Sequence, residues 1–280
     1  MTLWLIGGTQ ESVALARALI PHQIPCLVTV TTDTARSLYP IAPTLQIWVG
    51  SLNPATIQSF IHEQSIHCIL DASHPFAVEI SQLAITTAQR HQIPYLRYER
   101  PEIQPSEPSN PSRSADAHGG SPLPTPDSRS ADAHGESPLP TPHDLTGHRV
   151  LLTLGYRFLH HFQPWHDRAT LFARILPSTT ALEAALAAGF TPDRLIALRP
   201  PISAPLEKAL WQQWQISTVI TKASGTAGGE DIKRQVAQDL GIRLIVIDRP
   251  AITYPQQTSR IATAVDFCLQ NFPPARDSTP

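Results

Sequence analysis

The sequence predicts two doubly wound α/β domains, each a parallel sheet covered by helices, with a cleft between them. Three observations predict it. Short apolar or β-branched runs alternate with helical stretches along most of the 280 residues, and such alternation needs crossover connections and therefore parallel strands. The alternation stops once, at residues 103–148, where prolines and small polar residues replace apolar ones. Each half also carries a glycine-rich turn between a strand and a helix, the local signature of a ligand-binding crevice. Domains usually run about 100–200 residues, so the length suits two of them.

In the first half, residues 3–6 form an apolar strand ending at Gly7-Gly8, and a helical pattern covers 11–20. Residues 26–31, 45–49, 68–71 and 95–98 read as further strands, with helices over 55–64 and 77–91. In the second half the strands are 150–154, 171–175, 195–198, 218–221 and 244–247. Helices are expected at 180–188, 205–213, 230–240 and 259–269. Within 230–240, Ile232, Val236 and Leu240 recur at every fourth residue, which sets one apolar stripe against a sheet. The expected organisation is a first domain over 1–102, a linker over 103–148 and a second domain over 149–280.

Nine of the 28 prolines lie between Pro105 and Pro142, so the linker is unlike the rest of the chain. Residues 112–126 (SRSADAHGGSPLPTP) recur as 128–142 with Glu136 in place of Gly120. The copies hold too few large apolar residues to offset the entropy of ordering. Two copies are also too few for a solenoid. The segment reads as a disordered, extended spacer. His118 with Asp116 and His134 with Asp132 recur in it, but nothing there fixes a coordination geometry, so no metal is expected.

Composition excludes several classes. With 21 Lys+Arg against 23 Asp+Glu, the net charge of −2 argues against a general nucleic-acid binder. No run of about 18 apolar residues is present, so no membrane span is expected. The start MTLWLIGGTQ lacks the basic and long apolar regions of a signal peptide. Cys26, Cys68 and Cys268 are scattered and odd in number, which excludes a disulfide framework or a paired-cysteine motif. The expected compartment is the reducing cytoplasm. The oligomeric state stays open, a monomer among the options. There is no Gly-x-Ser-x-Gly elbow, no Walker A loop and no HExxH, which disfavours a serine hydrolase of that type, a P-loop NTPase and a zincin.

Five sets of residues can do chemistry. Gly7, Gly8 and Thr9 form either a phosphate-binding turn or an ordinary tight turn; Thr9 can cap the helix or donate to phosphate. At the end of the second strand, Asp33 suits a free ribose 2′-hydroxyl, whereas Arg36 with Thr31 and Thr32 suits a 2′-phosphate. The string Asp71-Ala72-Ser73-His74-Pro75-Phe76 follows a strand, with Pro75 at a favoured first helical position. There Ser73 is a cap or a substrate ligand, and His74 a proton carrier or a solvated loop residue. Lys222-Ala223-Ser224-Gly225 ends a strand in the second half, its lysine suited to phosphate, to carboxylate or to an ion pair with Asp71. The two halves echo each other here: Asp71 and Lys222 precede Ala-Ser at matching places, so the two loops are expected to face one another. Arg97, Arg100, Arg157, Arg199 and Arg249 fall at or near strand ends and would line a basic cleft for an anionic ligand.

Taken together, the strings LIGGTQES, TVTTDTARSL, LDASHPFAVEIS, IPYLRYERP, LLTLGYRFLHHF, TKASGTAGGEDIK and IVIDRP resemble the precorrin-6A reductase family of cobalamin biosynthesis. The match runs in order from about Leu3 to Pro250, broken only by the linker. The resemblance implies two Rossmann-like domains with NADPH and a polycarboxylate tetrapyrrole between them. It implies reduction of one macrocycle double bond of precorrin-6A, or of its cobalt form, to precorrin-6B. It implies Gly7, Gly8, Thr9, Thr31, Thr32, Arg36, Ser224 and Gly225 at the cofactor, and Ser73 with the five arginines at the substrate. His74 is then the leading proton donor, Lys222 the second, and Asp71 an orienter. Two rival readings are a nucleotide-sugar-dependent transferase and a binding protein that holds NADPH or a tetrapyrrole without turnover.

Overall fold

The computed structural model describes residues 1–103 and 144–272. The duplicated segment and most of the linker read over 103–148 lie outside those residues.

The first lobe is built on β1 (Thr2–Ile6), β2 (Cys26–Val30), β3 (Leu45–Val49), β4 (Ile66–Asp71) and β5 (Tyr95–Tyr98). Its helices are α1 (Gln10–Leu19), α2 (Asp33–Arg36), α3 (Ile57–Glu63) and α4 (Val78–His91). Successive side chains of a strand point to opposite faces, and β1 serves both faces of its sheet. Leu3 and Leu5 pack with Leu15, Ala16 and Leu19 of α1. Trp4 and Ile6 pack with Phe60 of α3 and Ala84 and Ala88 of α4. A strand buried on both faces reads as continuously apolar, which is how residues 3–6 look in the sequence.

The second lobe repeats the plan with β6 (Arg149–Thr153), β7 (Thr170–Ile175), β8 (Leu195–Ala197), β9 (Thr218–Lys222) and β10 (Arg243–Ile247). Its helices are α5 (Thr179–Ala187), α6 (Ala204–Gln213) and α7 (Glu230–Leu240). Val150, Leu152 and Ala173 face α5, whereas Leu151 and Phe172 face Trp211 of α6 and Val236 of α7. A 3₁₀ helix over Tyr156–Trp165, unassigned in the sequence reading, follows β6 and buries Leu159 and Phe162.

The chain then crosses back. Gln257–Thr258 (β11) pairs with β5, and α8 (Ile261–Asn271) buries Ala264, Val265 and Cys268 against the first lobe. The expected second domain over 149–280 therefore gives up its last stretch to the first. The reason is uncovered surface: α1 alone leaves Cys68, Leu70 and Leu96 of β4 and β5 without a partner layer, and α8 supplies it. Leu145 is fully buried in the second lobe's core, so that lobe already begins within the stretch read as linker.

Among the described residues the sheet orders are β11-β5-β4-β1-β2-β3 and β10-β9-β6-β7-β8, all parallel. Each lobe thus runs outward in both directions from its first strand. The order reverses between β1 and β4 in one lobe and between β6 and β9 in the other. Such reversal points open a crevice at the carboxyl ends of the strands, where ligands bind.

Candidate active site

The two crevices face each other. Loops after β1 and β4 flank the first, and loops after β6 and β9 flank the second. Lys222, closing β9, holds its Nζ 4.7 Å from the ring centroid of Phe76 and 3.6 Å from that of Phe158. Phe76 belongs to the β4 loop yet packs on the second lobe's core. The facing of the Asp71 and Lys222 loops expected from the echo is what the geometry shows.

The first glycine turn is shaped by a residue the sequence reading missed. Tyr39 is buried, accepts a hydrogen bond from the Gly8 N–H (2.8 Å) and shares one with Ser12 Oγ (2.6 Å). Burial, the largest influence, raises its pKa. A Cβ on Gly7 would stand 2.3 Å from the Tyr39 hydroxyl and 2.7 Å from Val28 Cγ1, so no side chain fits there. Gly8 has φ +96° with nothing within 4 Å of a would-be Cβ, so the surface above it is open. Thr9 Oγ1 caps α1 by accepting from the Ser12 N–H (3.1 Å) and donates to the Ala72 carbonyl (2.8 Å), tying the β1 and β4 loops together. Its proton is committed to that tie. The backbone donors left at the helix start are Gln10 and Glu11.

Thr31, Thr32, Asp33 and Arg36 are all exposed at the end of β2. Thr32 Oγ1 accepts from the Ala35 N–H (3.2 Å) and caps α2. An open glycine turn, two helix-terminal N–H groups and this polar rim are donors that could hold the phosphates and ribose of a dinucleotide.

The floor between the crevices is a buried polar network. Asp71 is 0% exposed. Its Oδ1 accepts from Arg97 Nη1 (2.9 Å) and the Ser73 N–H (3.0 Å). Its Oδ2 accepts from the Ser81 hydroxyl (2.7 Å) and the Tyr95 hydroxyl (2.8 Å). Ser73, also buried, accepts a second bond from Arg97 Nη1 (2.9 Å). Neither Ser73 nor His74 caps α4, and Pro75 is not its first residue: the helix begins at Val78 after Ala77. Asp71 does not bond His74; it anchors Arg97, Tyr95 and the loop backbone.

His74 Nδ1 accepts from the Phe76 N–H (3.2 Å), which leaves Nε2 as the proton-bearing atom of the neutral ring. Burial, then the positive charges of Arg100, Lys222, Arg97 and Arg249, lower its pKa to about 3. Three of those four cations are themselves paired with Asp71, Glu99 or Glu11.

In the second lobe, Gly225 has φ +67° and its N–H donates to Glu230 Oε2 (2.8 Å). A Cβ on Gly228 would stand 2.0 Å from Ser224 Oγ, so glycine there makes room for the buried Ser224. Lys233, also buried and also missed, donates from below to the carbonyls of Gly228 (2.8 Å) and Gly229 (3.0 Å).

The five arginines divide. Arg97 is 1% exposed and is committed to Asp71 and Glu99. Arg100 bonds Glu11 and the Ser224 carbonyl, and Arg249 bonds Glu99 and the Ala223 carbonyl. Arg157 is exposed on the 3₁₀ helix, and Arg199 is partly exposed beyond β8. The cationic lining is therefore largely a braced wall. Among the described residues no group of three His, Cys, Asp or Glu side chains could hold a metal ion. No helix among them is long and apolar enough to cross a membrane.

Known proteins share this chain's sequence along nearly all of its length. Residues 2–269 match the family model described as precorrin-6x reductase CbiJ/CobK. A cobalt-precorrin-6A reductase of Synechocystis sp. is 48% identical over 97% of both chains. The cobalt-precorrin-6A reductase of Priestia megaterium is 30% identical over 89% of this chain and 91% of its own. The precorrin-6A reductase of Rhodococcus erythropolis is 29% identical over 91% of each. A solved structure of CobK precorrin-6A reductase matches 97% of both chains with a TM-score of 0.69 at 21% identity, which shows the same two-lobed fold. The chain belongs to the precorrin-6x reductase family.

Proposed function

We propose that this protein reduces one macrocycle double bond of precorrin-6A, or of its cobalt form, to give precorrin-6B, with NADPH as reductant. It would work in the cytoplasm as an enzyme of cobalamin biosynthesis. The observation that carries the reading is the apposition of two reversal-point crevices, with the His74 loop of one lobe packed against Lys222 and the core of the other. Membership of a reductase family leaves the sugar-nucleotide transferase and the non-catalytic binder without support.

The bound dinucleotide supplies a hydride. The protein contributes orientation and charge. Gly7 and Gly8 let the backbone approach a pyrophosphate, which the N–H groups of Gln10 and Glu11 receive. Thr31, Thr32 and Arg36 hold the 2′-phosphate end, and Ser224 and Gly225 close over it from the second lobe. Ser73 and His74 form the floor under the macrocycle, while Arg157, Arg199 and Lys222 meet its carboxylates. A hydride added to a conjugated ring must be balanced by a proton. Burial first, and then the nearby positive charges, keep His74 neutral; the carboxylates of the arriving substrate offset part of that charge, and Lys222 is the second candidate to deliver the proton.

The test is NADPH oxidation followed by absorbance with precorrin-6A and its cobalt complex as acceptors. Oxidation coupled to loss of the acceptor's spectrum is expected; no oxidation with either acceptor would overturn the reading. Arg36→Ala should weaken NADPH binding by about tenfold and NADH binding by less than about twofold, the loss of one charged phosphate contact. Equal losses would clear Arg36 of phosphate binding.

A further inference from the structure

Arg100 and Arg249, candidate substrate ligands by sequence, hold the two lobes together. Arg100 extends from the segment after β5. Its Nη2 bonds Glu11 Oε2 at 2.8 Å and its Nη1 bonds the Ser224 carbonyl at 3.0 Å. The pair is only 10% and 15% exposed, so water screens it little. Arg249, after β10, braces the arrangement from the other lobe. It donates to Glu99 (2.6 Å), to the Arg100 carbonyl (2.8 Å) and to the Ala223 carbonyl (2.9 Å). The lobes are in direct contact here: a Cβ on Gly225 would stand 3.1 Å from the Pro101 carbonyl and 3.3 Å from Arg100 Cδ.

Glu11 occupies a telling place. It is the second residue of α1, so its own N–H is one of the two donors left open to a pyrophosphate. Its carboxylate stands at that same helix end, where it would repel a phosphate unless another group neutralised it. Arg100 neutralises it and, with its other nitrogen, grips the loop that carries Lys222 and Ser224. Arginine's planar fork makes both bonds at once, which a lysine could not do with the same geometry.

We propose that Glu11 and Arg100 form a clasp that couples occupancy of the first lobe's dinucleotide turn to seating of the second lobe's glycine turn over it. The inference rests on the dinucleotide reading given above. Both are positioning residues: they set the distance between hydride donor and macrocycle without touching either reacting carbon.

The clasp separates binding from turnover. Glu11→Gln removes the charge that opposes phosphate and also the anchor of Arg100. NADPH affinity, read by fluorescence titration without tetrapyrrole, should stay the same or tighten, while kcat falls about tenfold through loss of orientation. Arg100→Ala leaves Glu11 uncompensated, so NADPH affinity and kcat should both fall by about tenfold or more. In ligand-free X-ray scattering, Arg100→Ala should enlarge the radius of gyration relative to the unaltered chain. A Glu11→Gln variant that keeps kcat within about twofold, or that weakens NADPH as Arg100→Ala does, would overturn the clasp. So would scattering curves that superimpose. An unaltered chain that ignores NADPH would overturn the dinucleotide reading instead, and ligand-free scattering would still judge the contact between the lobes.

Discussion

Asp71 carries the most decisive substitution, because sequence and structure give it different work. The sequence makes it an orienter of the proton donor; the structure makes it the buried acceptor of four hydrogen bonds and the partner of a buried arginine. Asp71→Ala would leave Arg97 with Glu99, whose side chain is 20% exposed, as its remaining carboxylate. Removing one partner of a buried pair costs about 3–5 kcal/mol, and the remaining carboxylate sets the low end of that range. The stranded Tyr95 hydroxyl adds about 1 kcal/mol, for a loss of about 4 kcal/mol. For a chain of this size that lowers Tm by roughly 10 °C. Asp71→Asn keeps the shape, and the Ser81 and Tyr95 hydroxyls can turn to accept from the new amide. Only the charge is lost, about 1–2 kcal/mol. Thermal melts followed by circular dichroism, with kcat measured on the folded fraction, check this. Asp71→Asn should keep kcat within about threefold, since the carboxylate does no chemistry of its own. A melting point for Asp71→Ala within about 2 °C of the unaltered chain would refute the network argument. A folded Asp71→Asn chain with kcat down about 100-fold would restore a chemical role.

Three further outcomes follow from the site and its surroundings. His74→Ala should lower kcat by about 100-fold while NADPH affinity is nearly kept; unchanged turnover would remove the ring from the proton path. Lys233 has its pKa lowered to about 8, by burial first and by Arg174 next, with Glu207, Glu230 and Asp231 opposing. Between that value and the 10.5 of an ordinary lysine the unfolded chain holds the extra proton, so stability should rise with pH across that window. The rise amounts to as much as about 3 kcal/mol. Urea midpoints at pH 8 and 10 should differ less in Lys233→Met, and an equal difference in both chains would contradict this origin. Cys26, Cys68 and Cys268 are buried free thiols that meet in the core beneath α8. Burial pushes the Cys26 thiol up, and a hydrogen bond with Cys268 followed by burial pushes up that of Cys68. A thiol reagent should therefore label none of them in the native chain and all of them in guanidinium. Rapid native labelling would mean that α8 detaches from the first sheet.

Much of this architecture was legible because its causes are local. Strands β3 and β5 and helix α7 appear where apolar runs and four-residue periodicity place them. Thr9 caps α1 because a short polar side chain before a helix has an adjacent N–H to accept from. The glycines stand where a Cβ would collide or where φ is positive. The assignment of Pro75 failed because the β4 loop runs on to Ala77 before the helix starts. Tyr39, Lys233 and Glu11 carried no signal in one dimension. Each is an ordinary residue until the fold brings it beside Gly8, Gly228 or Arg100.

By itself, the order of residues determined ten of the strands and most of the longer helices, and that paired glycine-rich turns follow β1 and β9; the short α2, the 3₁₀ helix after β6 and β11 were not legible in it. The legible features follow from side-chain alternation, capping and backbone freedom over a few residues. Only the tertiary structure decided that α8 closes the first sheet, that Arg100 and Arg249 brace the lobes and that Arg97 is buried against Asp71. It alone decided that Asp71 lies in the floor while His74 stays neutral. Those outcomes depend on which charges and apolar faces meet across long stretches of chain, and meetings of that kind exist only once the whole molecule has folded.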